Sequence, residues 1–329
     1  MSEKVKVKTA ASSQNAVYRR QKRLQKTGGF LAGFYRYVLL ISMGYVIIYP
    51  LLFMISTSFK TRAAFLDPSI VWIPRVFTSE NYKNAVKALS LPSSLYSSLL
   101  YEIVSAGIEI VSCSVAAYGM ARFDFKIKPV LNALLILLIF IPPQMIIIPM
   151  MMNFANLDLF GILGAVSKLT GTDLTVNTLN TVLPFYLPSL LAVGLRSGII
   201  IFIYIQFFKG LPKELEEAAA IDGAGPLKTY LKIALPSSGV VILTVSVFSV
   251  IWHWNDYYLA VMYTSGKFPL AVCLNTIRET LSTMGVYATT QAAAIIMAAC
   301  VMFVAPMLIM YMILQNKFIK SIDRVGITG

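Results

Sequence analysis

The chain has 329 residues, of which 57% are hydrophobic and 13% charged, against about 25% charged in an ordinary soluble domain. The apolar residues fall in blocks, which excludes a water-soluble globular domain and predicts an all-α polytopic membrane protein. The net charge of +13 is read as basic loops that orient the chain in a membrane, not as a nucleic-acid surface.

In chain order, residues 1–36 form a basic cytoplasmic tail, part of which suits an anionic lipid surface. A span over Tyr37–Thr57 follows, then a polar connection with Pro68, Pro74 and Pro92. The second span covers Tyr96–Gly119 and the third Pro129–Met150, which Pro142 and Pro143 break near its far end. The fourth runs over Val182–Phe208, the fifth over Gly239–Tyr263 and the sixth over Thr290–Leu314, with residues 317–329 as a polar C-terminal tail. Six spans put both termini on one side. The N-tail, 121–128, 209–236 and the C-tail carry nineteen Lys and Arg; the opposite connections carry eight. The excess places both termini in the cytoplasm. Cys113, Cys273 and Cys300 show no paired spacing, and the lone His253 reads as a packed or pore-facing ring. Neither a disulfide framework nor a metal site is expected.

The stretch 210–236 is the most charged segment between two apolar runs. Pro212 suits a first helical position, and Glu214, Glu216 and Glu217 set negative charge at the positive helix end. Asp222-Gly223 is a helix stop, Pro226 opens a second short helix and Pro236 closes it. Residues 211–225 carry a net charge of −3, which an anionic leaflet repels. Docking against a basic protein surface remains. Glu214, Glu217, Ala218 and Ile221 share one helical face while Glu216 points elsewhere, so Glu217 is the first candidate for an ion pair with a partner.

The run Glu217-Ala-Ala-Ala-Ile-Asp-Gly-Ala224, with Ile233-Ala-Leu-Pro236 after it, resembles the EAA loop of ABC importer permeases. Leu211-Pro-Lys-Glu-Leu-Glu-Glu, Ala116-Ala-Tyr-Gly-Met-Ala-Arg-Phe123 and Phe248-Ser-Val-Ile-Trp-His-Trp-Asn-Asp-Tyr-Tyr-Leu259 are similar to the carbohydrate, maltose MalG-like branch. The likeness covers residues 37–316. It implies a second permease subunit, a dimeric ABC ATPase beneath the pair, and an extracellular solute-binding protein, all at a bacterial cytoplasmic membrane. The partner ATPase would bind ATP and Mg²⁺, leaving this chain without a cofactor and without enzymatic activity. By the same resemblance Glu214, Glu217, Ala218, Ala219, Asp222, Gly223, Ala224, Leu235 and Pro236 form the ATPase-coupling loop. Glu217 would pair with a basic residue, the alanines permit close approach and Gly223 shapes the turn.

Within the second span Ser98, Glu102, Ser105, Glu109 and Ser112 recur at steps of four and three, one polar stripe on a helix. Carboxylates inside spans default to a cavity or a partner, so Glu109 and Ser105 are candidates for the solute path. The serines equally suit helix–helix hydrogen bonding. Trp254, Asn255, Asp256 and Tyr257 carry the ring-plus-acceptor chemistry of a sugar contact, and also suit an aromatic belt. Arg196 needs a carboxylate or carbonyl partner, with Glu109 and Asp256 as possibilities. No phosphate-binding loop is present, since 223–229 lacks the Gly-Lys-Ser/Thr junction. An ion-coupled secondary transporter working through the buried acids of the second span is the rival reading.

Overall fold

A computed structural model describes residues 33–326 except 68, 71, 159–166, 170, 172–174 and 288, with side chains placed as far as residue 316. The expected basic tail up to residue 32 and part of the loop 151–179 lie outside the described residues. The described residues are mostly helical and form no strand, only two isolated bridges. Helix α1 (Gly33–Ser58) is 26 residues long and apolar, and none of its most apolar window is buried. It is held at its end. Asn81 Nδ2 donates to the Ser58 and Lys60 carbonyls, both at 2.9 Å, and Ser56 Oγ donates to the Trp72 carbonyl. Asn81 belongs to α3 (Glu80–Ala88), reached through the short α2 (Arg62–Leu66), whose N-terminal N–H at Ala64 donates to Thr61 Oγ1.

Helix α4 (Leu91–Arg122) is the centre of the packing. Its residues Ser98–Ile103 form a π-type turn, a feature that often marks functional sites. Helices α5 (Lys128–Phe140) and α6 (Pro143–Ala155) meet at 105°. Pro142 and Pro143 cause this break, because neither can donate the backbone hydrogen bond that would continue α5. The expected fourth span is not one helix. It is α7 (Leu183–Leu190) and α8 (Ser197–Gly210), separated by residues 191–196 with Ala192 at φ 58° and Arg196 at φ 59°. Left-handed backbone at two non-glycine residues cannot continue a right-handed helix.

Helix α9 (Lys213–Ile221) precedes α10 (Pro226–Ser237), which meets α11 (Gly239–Trp254) at 79°. Pro236, expected to end α10, lies inside its last turn, and the break falls at Ser238. Pro212 caps α9 from outside rather than occupying its first turn. The fifth span is likewise interrupted, with α12 (Tyr258–Tyr263) following α11. Then come α13 (Leu270–Asn275), α14 (Ile277–Thr283) and α15 (Thr289–Gly326), so the expected polar tail continues the last helix. Among the described residues three helices, α1, α4 and α15 to Asn316, are long and apolar enough to cross a membrane, or up to five segments if each bent pair counts as one.

Three buried clusters hold the fold. Tyr118, Tyr204, Phe208, Tyr230 and Val245 join α4, α8, α10 and α11. Leu89, Trp254, Leu270, Leu281 and Ile295 join α3, α13, α14 and α15 to the end of α11. Tyr101, Phe154, Phe185 and Tyr263 join α4, α6, α7 and α12. Each buried Leu, Ile or Phe side chain contributes about 1.5–3 kcal/mol in water. Within lipid the gain comes instead from packing and hydrogen bonds.

Candidate functional site

Two regions carry polar chemistry. The first is a cavity of about 260 Å³ where α4, the α5–α6 break, the α7–α8 break and the α11–α12 junction meet. Helix breaks at this depth expose backbone, which is tolerated where it lines a cavity. From α4 come Glu102, 1% exposed with neither carboxyl oxygen hydrogen-bonded by a protein group, and Ser105, whose Oγ donates to the Tyr101 carbonyl at 2.5 Å. Asp256 and His253 also line the wall, and Asp256 Oδ1 accepts the Leu259 N–H at 3.2 Å.

Glu109 sits behind this wall and is fully buried. Its Oε2 accepts Ser249 Oγ–H at 3.1 Å and lies 3.7 Å from His253 Nδ1. That nitrogen is 2.9 Å from the Ser249 carbonyl, which can only accept, so Nδ1 carries the proton. Gly194, in the α7–α8 break, closes over the carboxyl. A Cβ there would lie 2.8 Å from Glu109 Oε1 and 3.2 Å from Ser189 Cα.

The polar stripe of α4 therefore divides. Glu102 and Ser105 face the cavity, and Glu109 faces α11. Ser112 Oγ donates to the Ser189 carbonyl of α7 at 2.5 Å, and Ser98 Oγ accepts the Leu270 N–H that opens α13 at 2.7 Å. The π-type turn explains the diversion of Ser98, because one extra residue in the turn rotates it off the face of Ser105. Asp256 reaches the cavity, whereas its three neighbours do not line it. Trp254 Nε1 donates to the Phe303 carbonyl of α15 at 3.1 Å. Asn255 is exposed and bonds back to the Ile251 carbonyl, and Tyr257 packs edge-on against Tyr258. Arg196 pairs with neither expected carboxylate. Its guanidinium lies 5.1 Å from the Trp252 ring centroid, a cation–π contact. Tyr263 and Ser197 also line the cavity with unpartnered hydroxyls. Nothing in their local sequence marked them.

The second region is the α9–α10 pair. Gly223 has φ 71°. Its N–H bonds the Ala220 carbonyl at 3.0 Å and the Ala224 N–H bonds that of Ala219 at 2.9 Å. This is a Schellman closure, which requires a left-handed residue where Gly223 stands. The pair is fastened to α4 by Glu216, whose Oε1 lies 2.9 Å from Arg122 Nε. The Nε–H is not aimed at that oxygen, so the contact is an ion pair rather than a hydrogen bond. Arg122 Nη2 donates to the Leu211 carbonyl at 2.8 Å, and Tyr118 OH reaches Glu216 at 3.4 Å. Tyr230 of α10 donates to Ser114 Oγ at 3.0 Å. Glu214, Glu217, Ala218 and Ile221 remain exposed on the opposite face, Ile221 at 87% and Leu227 beside them at 70%. Ala219 is buried against its own chain, so Ala218 alone of these two faces outward. Asp222 is exposed, Ala224 half-buried, Leu235 half-buried against the aromatic cluster and Pro236 exposed. Nearby, Lys128 Nζ bonds Asp124 Oδ1 at 2.9 Å and holds that carboxyl below its ordinary range.

Apolar helices of crossing length, a polar cavity at their breaks and an amphipathic helix pair clipped beneath them define a membrane transport subunit. The chain belongs to the family described as the binding-protein-dependent transport system inner membrane component, whose model matches residues 113–324, more than half its length. It is an ABC importer permease subunit and not itself an enzyme. It is 29% identical over 286 residues to a putative ABC transporter permease protein ORF2 of Caldicellulosiruptor sp. (85% of this chain, 91% of the relative). It is 27% identical over 283 residues to the melibiose/raffinose/stachyose import permease protein MelC of Bacillus subtilis, with the same shares. The fold is similar, with a TM-score of 0.66, to a bacterial ABC transporter involved in import of the acidic polysaccharide alginate. That match has 18% identity and covers 88% of this chain and 96% of the other.

Proposed function

We propose that this chain spans a bacterial membrane six times with both termini in the cytoplasm, and passes a carbohydrate delivered by an extracellular binding protein. In this reading it pairs with a second permease. A separate dimeric ATPase, holding ATP and Mg²⁺, drives the pathway through α9 and α10. The fourth span, additional to the five segments counted by length, is α7 with α8, broken at 191–196. The observation that carries the coupling reading is the two-sided α9. Glu216 is tied to α4 through Arg122, while Glu217, Ala218 and Ile221 stand exposed on the other face. A helix fixed on one face and open on the other can transmit a push, and in this reading the exposed Glu217 meets a basic group of the ATPase. The carbohydrate assignment draws on the named relatives.

Gly223→Val tests the coupling. No atom lies within 4 Å of a Cβ at this position, so the penalty is conformational, roughly 1–2 kcal/mol for a left-handed residue with a side chain. In proteoliposomes holding the complete transporter, the variant should insert normally and hydrolyse ATP with uptake strongly reduced. Undiminished uptake would count against the lever. Uptake driven by an ion gradient without ATP would instead favour the secondary-transporter reading.

A further inference from the structure

We infer that the cavity inside this single subunit binds one neutral, polyhydroxylated ring of the solute, with Glu102 and Asp256 bonding its hydroxyls, and that acidic sugars are excluded from it. This rests on the import reading above and deepens it to a substrate class.

Four buried polar atoms in the cavity wall lack any protein partner: both carboxyl oxygens of Glu102, Ser197 Oγ and Tyr263 OH. Their residues are each 1% exposed. Unpartnered buried acceptors and hydroxyls are costly, and their convergence on one space marks a site built to be filled. Asp256 lines the same cavity as Glu102. A metal ion is a poor occupant, because among the described residues no three His, Cys, Asp or Glu side chains converge as ligands. Alternating hydroxyls satisfy this array, since each can both donate to a carboxyl and accept from Tyr263 or Ser197. Phe185 and Tyr263 also line this space. The size fits one ring, because about 260 Å³ falls below the roughly 300–1,000 Å³ of pockets for larger ligands.

Charge then selects the class. A uronate would bring a third carboxyl into this desolvated space. Among the described residues Arg196 is the sole Lys or Arg in the wall, one cation against the carboxyls of Glu102 and Asp256, and its guanidinium lies 5.1 Å from the Trp252 ring centroid. Sites built to bond hydroxyls discriminate strongly when a partner is missing or mismatched.

The test uses the intact complex of both permeases and the ATPase in nanodiscs, and the same complex with its binding protein in proteoliposomes. Raffinose, maltotriose, xylotriose, trigalacturonate and spermidine are the probes. Calorimetry should show at least one neutral trisaccharide binding to the nanodisc complex, with trigalacturonate and spermidine silent. Glu102→Gln and Asp256→Asn should each weaken that binding at least tenfold and raise the KM for its uptake. Tyr263→Phe loses no protein hydrogen bond, so it should fold as the parent does while weakening binding about fivefold. Binding unchanged in all three variants, no binding of any neutral probe, or comparable binding of trigalacturonate or spermidine would each overturn the assignment. ATP-independent uptake with the calorimetric pattern intact would overturn the importer reading and leave the cavity assignment standing.

Discussion

Glu216→Ala is expected to abolish ATP-dependent uptake while the ATPase continues to turn over. The Arg122 and Glu216 side chains are 8% and 21% exposed, so the pair is shielded from solvent. Removing the carboxylate leaves a nearly buried guanidinium with only the Leu211 carbonyl. Loss of a hydrogen-bonding partner for a buried charged group costs about 1.5–3 kcal/mol. That cost falls on the joint between α4 and α9, not on the core. Tyr230 still bonds Ser114 and packs in the aromatic cluster, both on α10, so α9 should loosen while the assembly survives. Uptake in proteoliposomes should drop more than tenfold, with ATPase rate within twofold of the parent. Glu216→Gln keeps an acceptor for Arg122 and Tyr118 and should fall between. An alanine variant with full uptake would show that the joint carries no force.

Gly194→Ala should destabilise the fold, because its Cβ would make the shortest contact found at any described glycine. Its Cβ would meet Glu109 Oε1 at 2.8 Å and Ser189 at both Oγ, 3.1 Å, and Cα, 3.2 Å. The carboxyl end can swing, but the Ser189 backbone is fixed in α7, whose carbonyl also receives Ser112 Oγ–H. Overpacking of this kind costs about 1–3 kcal/mol. Displacing Glu109 from Ser249 would strand a buried carboxyl as well. The thermal midpoint and folded yield of the complex should both fall. Adding Glu109→Ala should restore part of the loss, because the two changes share one contact and cannot be additive. Glu109→Gln, equal in size, should restore none. Gly194→Ala with parental yield and melting would refute the close approach.

How much of this was legible in the chain depended on which residues leave a local mark. Pro142-Pro143 announced the α5–α6 break, and Asp222-Gly223 the end of α9, because Pro and Gly act through the backbone at their own positions. The α7–α8 break left almost none. Leu191–Arg196 is apolar apart from Gly194 and Arg196, and Ala192 and Arg196 are turned left-handed by their surroundings rather than by their own chemistry. The same limit applies to the acids. Steps of four and three placed Glu102, Ser105 and Glu109 on one side of α4, but what faces them comes from α7, α8, α11 and α12. Trp254 shows the converse. A sugar-like cluster at 254–257 read well as chemistry, yet the end of α11 turns the indole to Phe303 and leaves only Asp256 toward the cavity. Glu216 and Glu217 separated correctly because helical periodicity alone decides which of two neighbours faces inward.

The isolation of α1 matters at a different stage of the protein's life. Only Thr57 and Ser58, at its end, are buried, so residues 33–56 add almost nothing to the clusters that hold the rest together. This helix precedes the others in synthesis, and it can enter the bilayer and stand there without waiting for the bundle. The bundle in turn can form without it. Its broad apolar side then needs a cover, either lipid or a neighbouring subunit, and an orphaned chain is distinguished from an assembled one by the state of that side. A membrane protease or chaperone that samples loose helices would find its first handle at Gly33–Ser58.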